Sequence, residues 1–479
     1  MNIKMIAFIL SRMLSVESLL LLLPAVVALI YGEETGYWFL IVAAALFVIS
    51  IIFGRKKPTH TKIYTKEGMI IVSAAWVLWS AIGALPMCLS GDIPNYIDAF
   101  FETVSGFTTT GSTILTNIES MPKCILFWRG FTHWVGGMGV LVFVLMLNTL
   151  DRNNSMHLMR AEMPGPEKDK LVPTAKQTAR ILYGIYLVLT LILIVLLLFG
   201  GMNLFDSIIH AFSTAGTGGY SNYNASVGYF NSAYIEWVLT IFMALFGVNF
   251  NLYFLILIRE YRPIIKNEEL KMYIGIILGA SIMIAVNIKE IYGSVSFREA
   301  IFQVVSMITT TGFVSTDYNV WPMFSKTILL ALIFTGACAS STGGGVKVSR
   351  LILMIKSIRK RIKQLIHPHS VNVIRMNGKK VSIETISMVK TYFLAYILIF
   401  LLSILVVSLD NFEFGTIFSA VLTALGNTGP IIDPIDATGS FAGFSPLSKI
   451  VLSLDMLAGR LEIFPFLMLF TLPAWHRKF

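Results

Sequence analysis

The chain has 479 residues, of which 56% are apolar and only 13% charged. A soluble domain carries about a quarter of its residues as charges, so this balance excludes one and marks a protein that crosses a membrane many times. The net charge of +10 does not point to nucleic acid, because the basic residues are spread over several segments and form no single patch.

Ten apolar stretches read as spans, near 13–31, 36–53, 68–89, 125–148, 180–201, 233–257, 272–293, 325–353, 386–409 and 447–472. Several reach the roughly 20 residues that a bilayer requires. The first lacks a small-residue cleavage site and is followed closely by a second, so it reads as a retained helix and not as a signal peptide. The eighth is interrupted and the others are continuous. Ten spans put both termini on one side. The segments 1–12, 54–67, 149–180, 258–271, 347–380 and 473–479 hold 29 of the 37 Lys and Arg residues, and this bias places both termini in the cytoplasm.

The extracytoplasmic connections carry the most informative signal. Four times a short apolar stretch leads into a Thr-Gly-centred turn and then a long apolar helix. The turns are Thr108-Thr109-Thr110-Gly111, Gly216-Thr217-Gly218-Gly219, Thr309-Thr310-Thr311-Gly312 and Gly426-Asn427-Thr428-Gly429. Thirteen residues before the last glycine of each stand Asp98, Asp206, Glu299 and Thr416, residue types suited to a helix start. The stretches 95–107, 204–215, 296–308 and 414–425 are about 18 Å long as helices, too short to cross. Non-helical backbone at membrane depth survives only where protein or water surrounds it, so the four must converge on a shared cavity.

A half-helix entering from outside points its negative C-terminal end at the membrane centre. Four such ends favour a cation where water is scarce. Glycine permits the backbone dihedrals of a carbonyl-lined turn, and carbonyl oxygens can replace the hydration shell of a monovalent ion. The turns contain no carboxylate, which argues against a divalent site.

These four registered turns resemble the TrkH/TrkG/KtrB superfamily of potassium transporters. The extra N-terminal pair of spans is closest to its TrkH branch. The resemblance covers essentially the whole chain and implies an all-α membrane protein: four span–pore helix–span repeats around one pseudo-fourfold pore, plus two N-terminal spans. The division is 1–60 for the two-span extension, then repeats at 61–160, 161–265, 266–375 and 376–479. The family's filter glycines match Gly111, Gly219, Gly312 and Gly429. Turns two and four depart from Thr-Thr-Thr-Gly, so weaker rejection of sodium is expected than in a symmetric tetrameric channel. The resemblance also implies a homodimer and a cytoplasmic ring of TrkA-like nucleotide-binding regulator subunits.

Two further features belong to a gate. The eighth span breaks at residues 335–345, with Gly343, Gly344 and Gly345 followed by Lys347. Three glycines among small polar residues do not sustain a mid-membrane helix, and a broken span of this kind lines a cavity. The resemblance makes it an intramembrane gating loop. Arg460 lies inside the last span, where a charge costs about 2.5–3.5 kcal/mol on insertion scales and marks function by default. In the family a matching arginine faces the pore at the gate. His133 and His210 read as packing residues. Cys88, Cys124 and Cys338 fit no metal or disulfide spacing. The run Arg359-Lys360-Arg361-Ile362-Lys363 suits either membrane lipid or a regulator.

The expected function is potassium uptake across the bacterial cytoplasmic membrane, with K+ as the transported ion, no covalent cofactor and no nucleic acid. Coupled symport with sodium or protons is the alternative. A solute carrier with a midplane site requires paired unwound spans, and an enzyme requires a catalytic constellation that the sequence lacks.

Overall fold

Long apolar runs favour helix at membrane depth, because a helix satisfies its own backbone hydrogen bonds. The computed structural model describes residues 2–55, 58, 63–139, 175–370, 372–432 and 439–471. Six of its helices are long and apolar enough to cross a membrane: Ile3–Tyr31, Gly36–Gly54, Thr65–Leu89, Gln177–Phe199, Glu268–Asn287 and Ile383–Asp410. The first two pack on each other. The carboxylate of Glu67 ties this N-terminal pair to the third span: it accepts from the Asn2 N–H (2.8 Å) and caps its own helix through the Tyr64 N–H (2.9 Å).

Four short helices lie between spans: Tyr96–Phe107, Leu204–Gly216, Ser296–Ile308 and Phe414–Gly426. Asn95 and Asn203 cap the first two, accepting from Ile97 N–H (2.9 Å) and Asp206 N–H (2.8 Å). The cap positions lie three residues before Asp98, Asp206 and Thr416 and four before Glu299. The three acids therefore sit in the first turn, complementing the helix dipole.

The packing repeats four times. Tyr96–Phe107 lies against Thr65–Gly83 and Lys123–Gly137. Leu204–Gly216 lies against Ala175–Phe199 and Ala233–Phe246. Ser296–Ile308 lies against Glu268–Asn287 and Met323–Thr335, and Phe414–Gly426 against Ile383–Val407 and Pro446–Arg460. Each short helix also touches the outgoing span of the preceding unit, and Pro446–Arg460 returns to Tyr96–Phe107, so the series closes on itself.

Some expectations are corrected. The first span begins at Ile3, ten residues earlier than expected. The sixth is not continuous: Ala233–Phe246 and Phe250–Leu257 meet at 90°. The eighth-span break supplies the reason. Cys338 N–H donates to Gly247 O (3.1 Å), Phe250 N–H donates to Ser340 O (3.0 Å), and Thr342 Oγ1 donates to Phe246 O (3.1 Å). The backbone groups freed by each break satisfy the other. The tenth span also breaks, after Arg460, where Glu462 and Ile463 adopt φ of +54° and +66°. The chain is not wholly helical: Arg375–Met376 pairs with Lys379–Lys380 as an antiparallel hairpin. The end of the expected fourth span and most of the basic segment 149–180 fall outside the described residues.

Candidate ion filter and gate

All four turns adopt one backbone conformation. Their second residues, Thr109, Thr217, Thr310 and Asn427, have φ of +54°, +56°, +58° and +54°, and the glycines Gly111, Gly219, Gly312 and Gly429 have +84°, +76°, +78° and +98°. Such alternation of handedness brings successive carbonyls toward one side, whereas an extended strand alternates them. A β-branched threonine at positive φ is strained and persists only where its surroundings over-determine it. Here they do. The third residue of each turn donates its N–H five residues back into the short helix: Thr110 to Ser105 O, Gly218 to Ser213 O, Thr311 to Ser306 O and Thr428 to Thr423 O, at 2.8–2.9 Å. In turns one and three the flanking hydroxyls also bond, Thr108 to Thr110 and Thr309 to Thr311, both at 2.8 Å.

The turns meet in a ring. A Cβ on Gly111 would overlap the carbonyl oxygen of Gly218, one on Gly219 that of Thr311, one on Gly312 that of Thr428, and one on Gly429 that of Thr110. Each glycine thus packs on the next turn's carbonyl, and the fourth packs on the first. Above the ring lies a cavity of about 480 Å³ that all four glycines line.

Behind the turns, the chain leaving each one is clamped to its own short helix. Asp206 accepts from Asn222 Nδ2 (2.6 Å) and from Tyr223 Oη (2.8 Å). Burial and this carboxylate together push the Tyr223 hydroxyl pKa upward, so it stays a donor. Glu299 accepts from Ser315 Oγ (3.0 Å), and Ser419 Oγ donates to Ile432 O (2.8 Å).

Below the ring sits the loop at 336–347. Gly344 N–H donates to Thr310 Oγ1 (2.6 Å), and a side chain on Gly344 would overlap Gly426 O. Lys347, buried, donates Nζ to Gly343 O. Arg460 reaches across from the tenth span. Its guanidinium donates to Thr109 Oγ1 (3.2 Å), Thr342 O (2.7 Å), Gly137 O (2.7 Å) and Gly136 O. One side chain therefore bonds the first turn, the loop and the end of Lys123–Gly137. Glu462 pairs with Arg350, whose guanidinium lies 4.1 Å from the Tyr392 ring centre. The space left among Gly343, Gly344, Lys347, Arg460 and Glu462 is about 70 Å³. The upper side of the ring is open, and the lower side is occupied and positively charged.

A sequence model of the family described as TrkH, cation transport protein, matches residues 40–278 and 270–475. The chain belongs to the TrkH family. It is 37% identical to the Trk system potassium uptake protein TrkH of Salmonella typhimurium, over 99% of this chain and all of that one. It is 34% identical to the Trk system potassium uptake protein TrkG of Escherichia coli K12, over 96% of each. The crystal structure of the potassium transporter TrkH from Vibrio parahaemolyticus superposes with a TM-score of 0.90 at 32% identity. That match covers 99% of this chain and all of that one.

In this TrkH-family chain, sequence reasoning missed a charged buttress behind the first turn. Arg129 Nε donates to Glu102 Oε1 (2.7 Å) and both side chains are buried. Glu102 also accepts from Thr113 Oγ1 (3.0 Å) and Ile114 N–H (3.0 Å). Tyr220, following the second glycine, lies 4.0 Å beneath the Arg129 guanidinium and donates Oη to Glu102 O (2.8 Å). Turns one and two are thereby joined. The available signal was an arginine inside an apolar stretch with a glutamate in the preceding short helix. Removing one partner of a buried pair costs about 3–5 kcal/mol. Arg129→Ala is therefore expected to lower the thermal unfolding temperature in detergent by several degrees, and Arg129→Lys by less. Unfolding curves superimposable on the wild type would contradict the buttress.

Proposed function

We propose that this chain carries potassium across the bacterial cytoplasmic membrane, with Thr108, Thr109, Thr110, Gly111, Gly216, Thr217, Gly218, Gly219, Thr309, Thr310, Thr311, Gly312, Gly426, Asn427, Thr428 and Gly429 as its ion filter. The observation that carries this reading is the closed ring, in which each glycine packs on the next turn's carbonyl. Carbonyls fixed around one axis at the negative ends of four helices suit a dehydrated monovalent cation. Four repeats at 61–160, 161–265, 266–375 and 376–479 then surround one pore, outside which the segment 1–60 lies. Both termini face the cytoplasm, on the side where the basic residues concentrate. That the relatives bear the name of Trk potassium uptake proteins supports the choice of ion.

Flow through such a filter is passive and follows the membrane potential. At about 2.3 kcal/mol per charge per 100 mV, the potential sustains roughly fiftyfold accumulation. The gate is the loop carrying Gly343, Gly344, Gly345 and Lys347, together with Arg460. Helix Val348–Ile366 follows directly on Lys347, so a nucleotide-binding cytoplasmic regulator pulling on that helix would withdraw the loop. Rubidium flux into liposomes containing this protein and no other is the test. Flux that exceeds empty liposomes, rises with an inside-negative potential and needs no sodium or proton gradient is expected. Flux that vanishes without such a gradient would replace the channel reading with symport.

A further inference from the structure

On the basic face, the hairpin at 375–380 folds back toward helix Val348–Ile366 and leaves a groove of about 510 Å³ between them. Lys356, Arg359, Lys360, Lys363 and Arg375 line it, with Ile362 and Val373. Lys356 is engaged: it pairs with Glu268 and donates to Arg375 O (2.7 Å). Among the described residues, Arg359, Lys360, Lys363 and Arg375 have no carboxylate partner.

The height of this groove is fixed independently. Glu268 is the first residue of the span Glu268–Asn287, whose 20 residues make about 30 Å of helix, the thickness of a hydrocarbon core. Its N–H donates to Asn377 Oδ1 (2.9 Å), and Asn377 N–H donates back to its carboxylate (3.2 Å). The groove is thus pinned at the level where a span enters the membrane, among the headgroups. Beside the cations, Ile358, Ile362, Leu365 and Ile366 are between 52% and 69% exposed. That combination of a cationic pocket and an uncovered apolar ridge fits a phosphate with acyl chains attached better than a soluble anion.

We propose that this groove binds the headgroup of an anionic phospholipid of the inner leaflet, with Lys360, Lys363 and Arg375 holding the phosphate and Ile362 and Ile366 contacting its chains. The occupied groove braces the helix that leads from the gating loop. Assignment to the inner leaflet rests on the orientation proposed above. The binding test rests on neither orientation nor flux.

Purified full-length protein in mixed micelles is exchanged with equal phosphatidylglycerol and phosphatidylcholine, and retained lipid is counted by native mass spectrometry. The wild type is expected to prefer phosphatidylglycerol by about tenfold or more, given how strongly each basic residue near a surface attracts anionic lipid. The triple variant Lys360→Gln, Lys363→Gln, Arg375→Gln should fall to within about twofold of no preference. The charge-conserving pair Lys360→Arg, Lys363→Arg should keep it, which separates loss of charge from loss of fold. Equal retention by wild type and triple variant would overturn the proposal. So would displacement of phosphatidylglycerol by soluble glycerol phosphate at equal concentration, which would reassign the groove to a free anion. A triple variant that keeps its lipid but loses binding of an acidic regulator surface would make the groove a protein-docking site.

Discussion

Replacing Gly111 or Gly312 by serine is expected to lower the preference for potassium over sodium by at least about tenfold, or to abolish uptake. Two costs combine at these positions. Both glycines hold φ near +80°, where a residue with a Cβ is disfavoured by about 1–2 kcal/mol. The Cβ also has no room, because it would overlap the carbonyl oxygen of Gly218 or of Thr428. The oxygen has to move, and the neighbouring turn is held by hydrogen bonds that repeat around the ring. A displaced carbonyl changes the size of the site, and a tenfold change in selectivity corresponds to only about 1.4 kcal/mol. Rubidium and sodium flux ratios in liposomes measure the effect. Gly184, where an added Cβ would meet nothing within 4 Å, supplies the control: Gly184→Ser should leave the ratio unchanged. Wild-type selectivity in both filter variants would remove these glycines from the ion path.

Much of this site is legible in the sequence because its parts are local. A short apolar stretch, a turn residue set and a glycine lie within about fifteen residues, and the four copies share one register. The short helices accordingly begin and end within a residue or so of the expected bounds. What escapes is non-local. Nothing around Gly247 announces a 90° bend, because the donors that make the bend tolerable come from Cys338, Phe250 and Thr342, two of them some 90 residues later. The strain at Thr109 and Thr310 is equally hidden: threonine disfavours positive φ, so its identity advertises the opposite conformation. Arg129 was visible as a charge in an apolar run, but its partner Glu102 comes from another helix. Of the two histidines read as packing residues, His210 has both ring nitrogens within hydrogen-bond reach, of Asp206 O (2.8 Å) and Ser221 Oγ (3.0 Å). His133 stacks on Tyr220 with ring centres 4.1 Å apart and so belongs to the buttress.

Arg460→Ala is expected to raise unregulated rubidium flux by tenfold or more. Two roles of this side chain pull in different directions, and magnitudes decide between them. As a charge beneath the ring, it would oppose every cation leaving the proposed filter. At an effective dielectric near 20, unit charges about 8 Å apart repel by about 2 kcal/mol, a factor of about thirty in rate. As a donor, it satisfies Thr342 O and Gly137 O, props Thr109, and adds a second bond to Gly136 O, which also accepts from Gly139 N–H (3.0 Å). Losing it leaves polar groups unpaired, at about 1–3 kcal/mol each if they stay dry. They need not stay dry, because the alanine variant enlarges the adjoining cavity and water can take the vacated positions. The electrostatic gain should therefore dominate flux, while stability drops modestly. Arg460→Lys keeps the charge but loses the planar fork, so it should resemble the wild type in flux. Arg460→Gln keeps a donor without the charge, so it should approach Arg460→Ala. If lysine leaks as much as alanine, with glutamine silent, the residue acts by tethering the loop to Thr109 and not by its charge. Flux at or below wild type in the alanine variant, at equal insertion, would remove Arg460 from the gate.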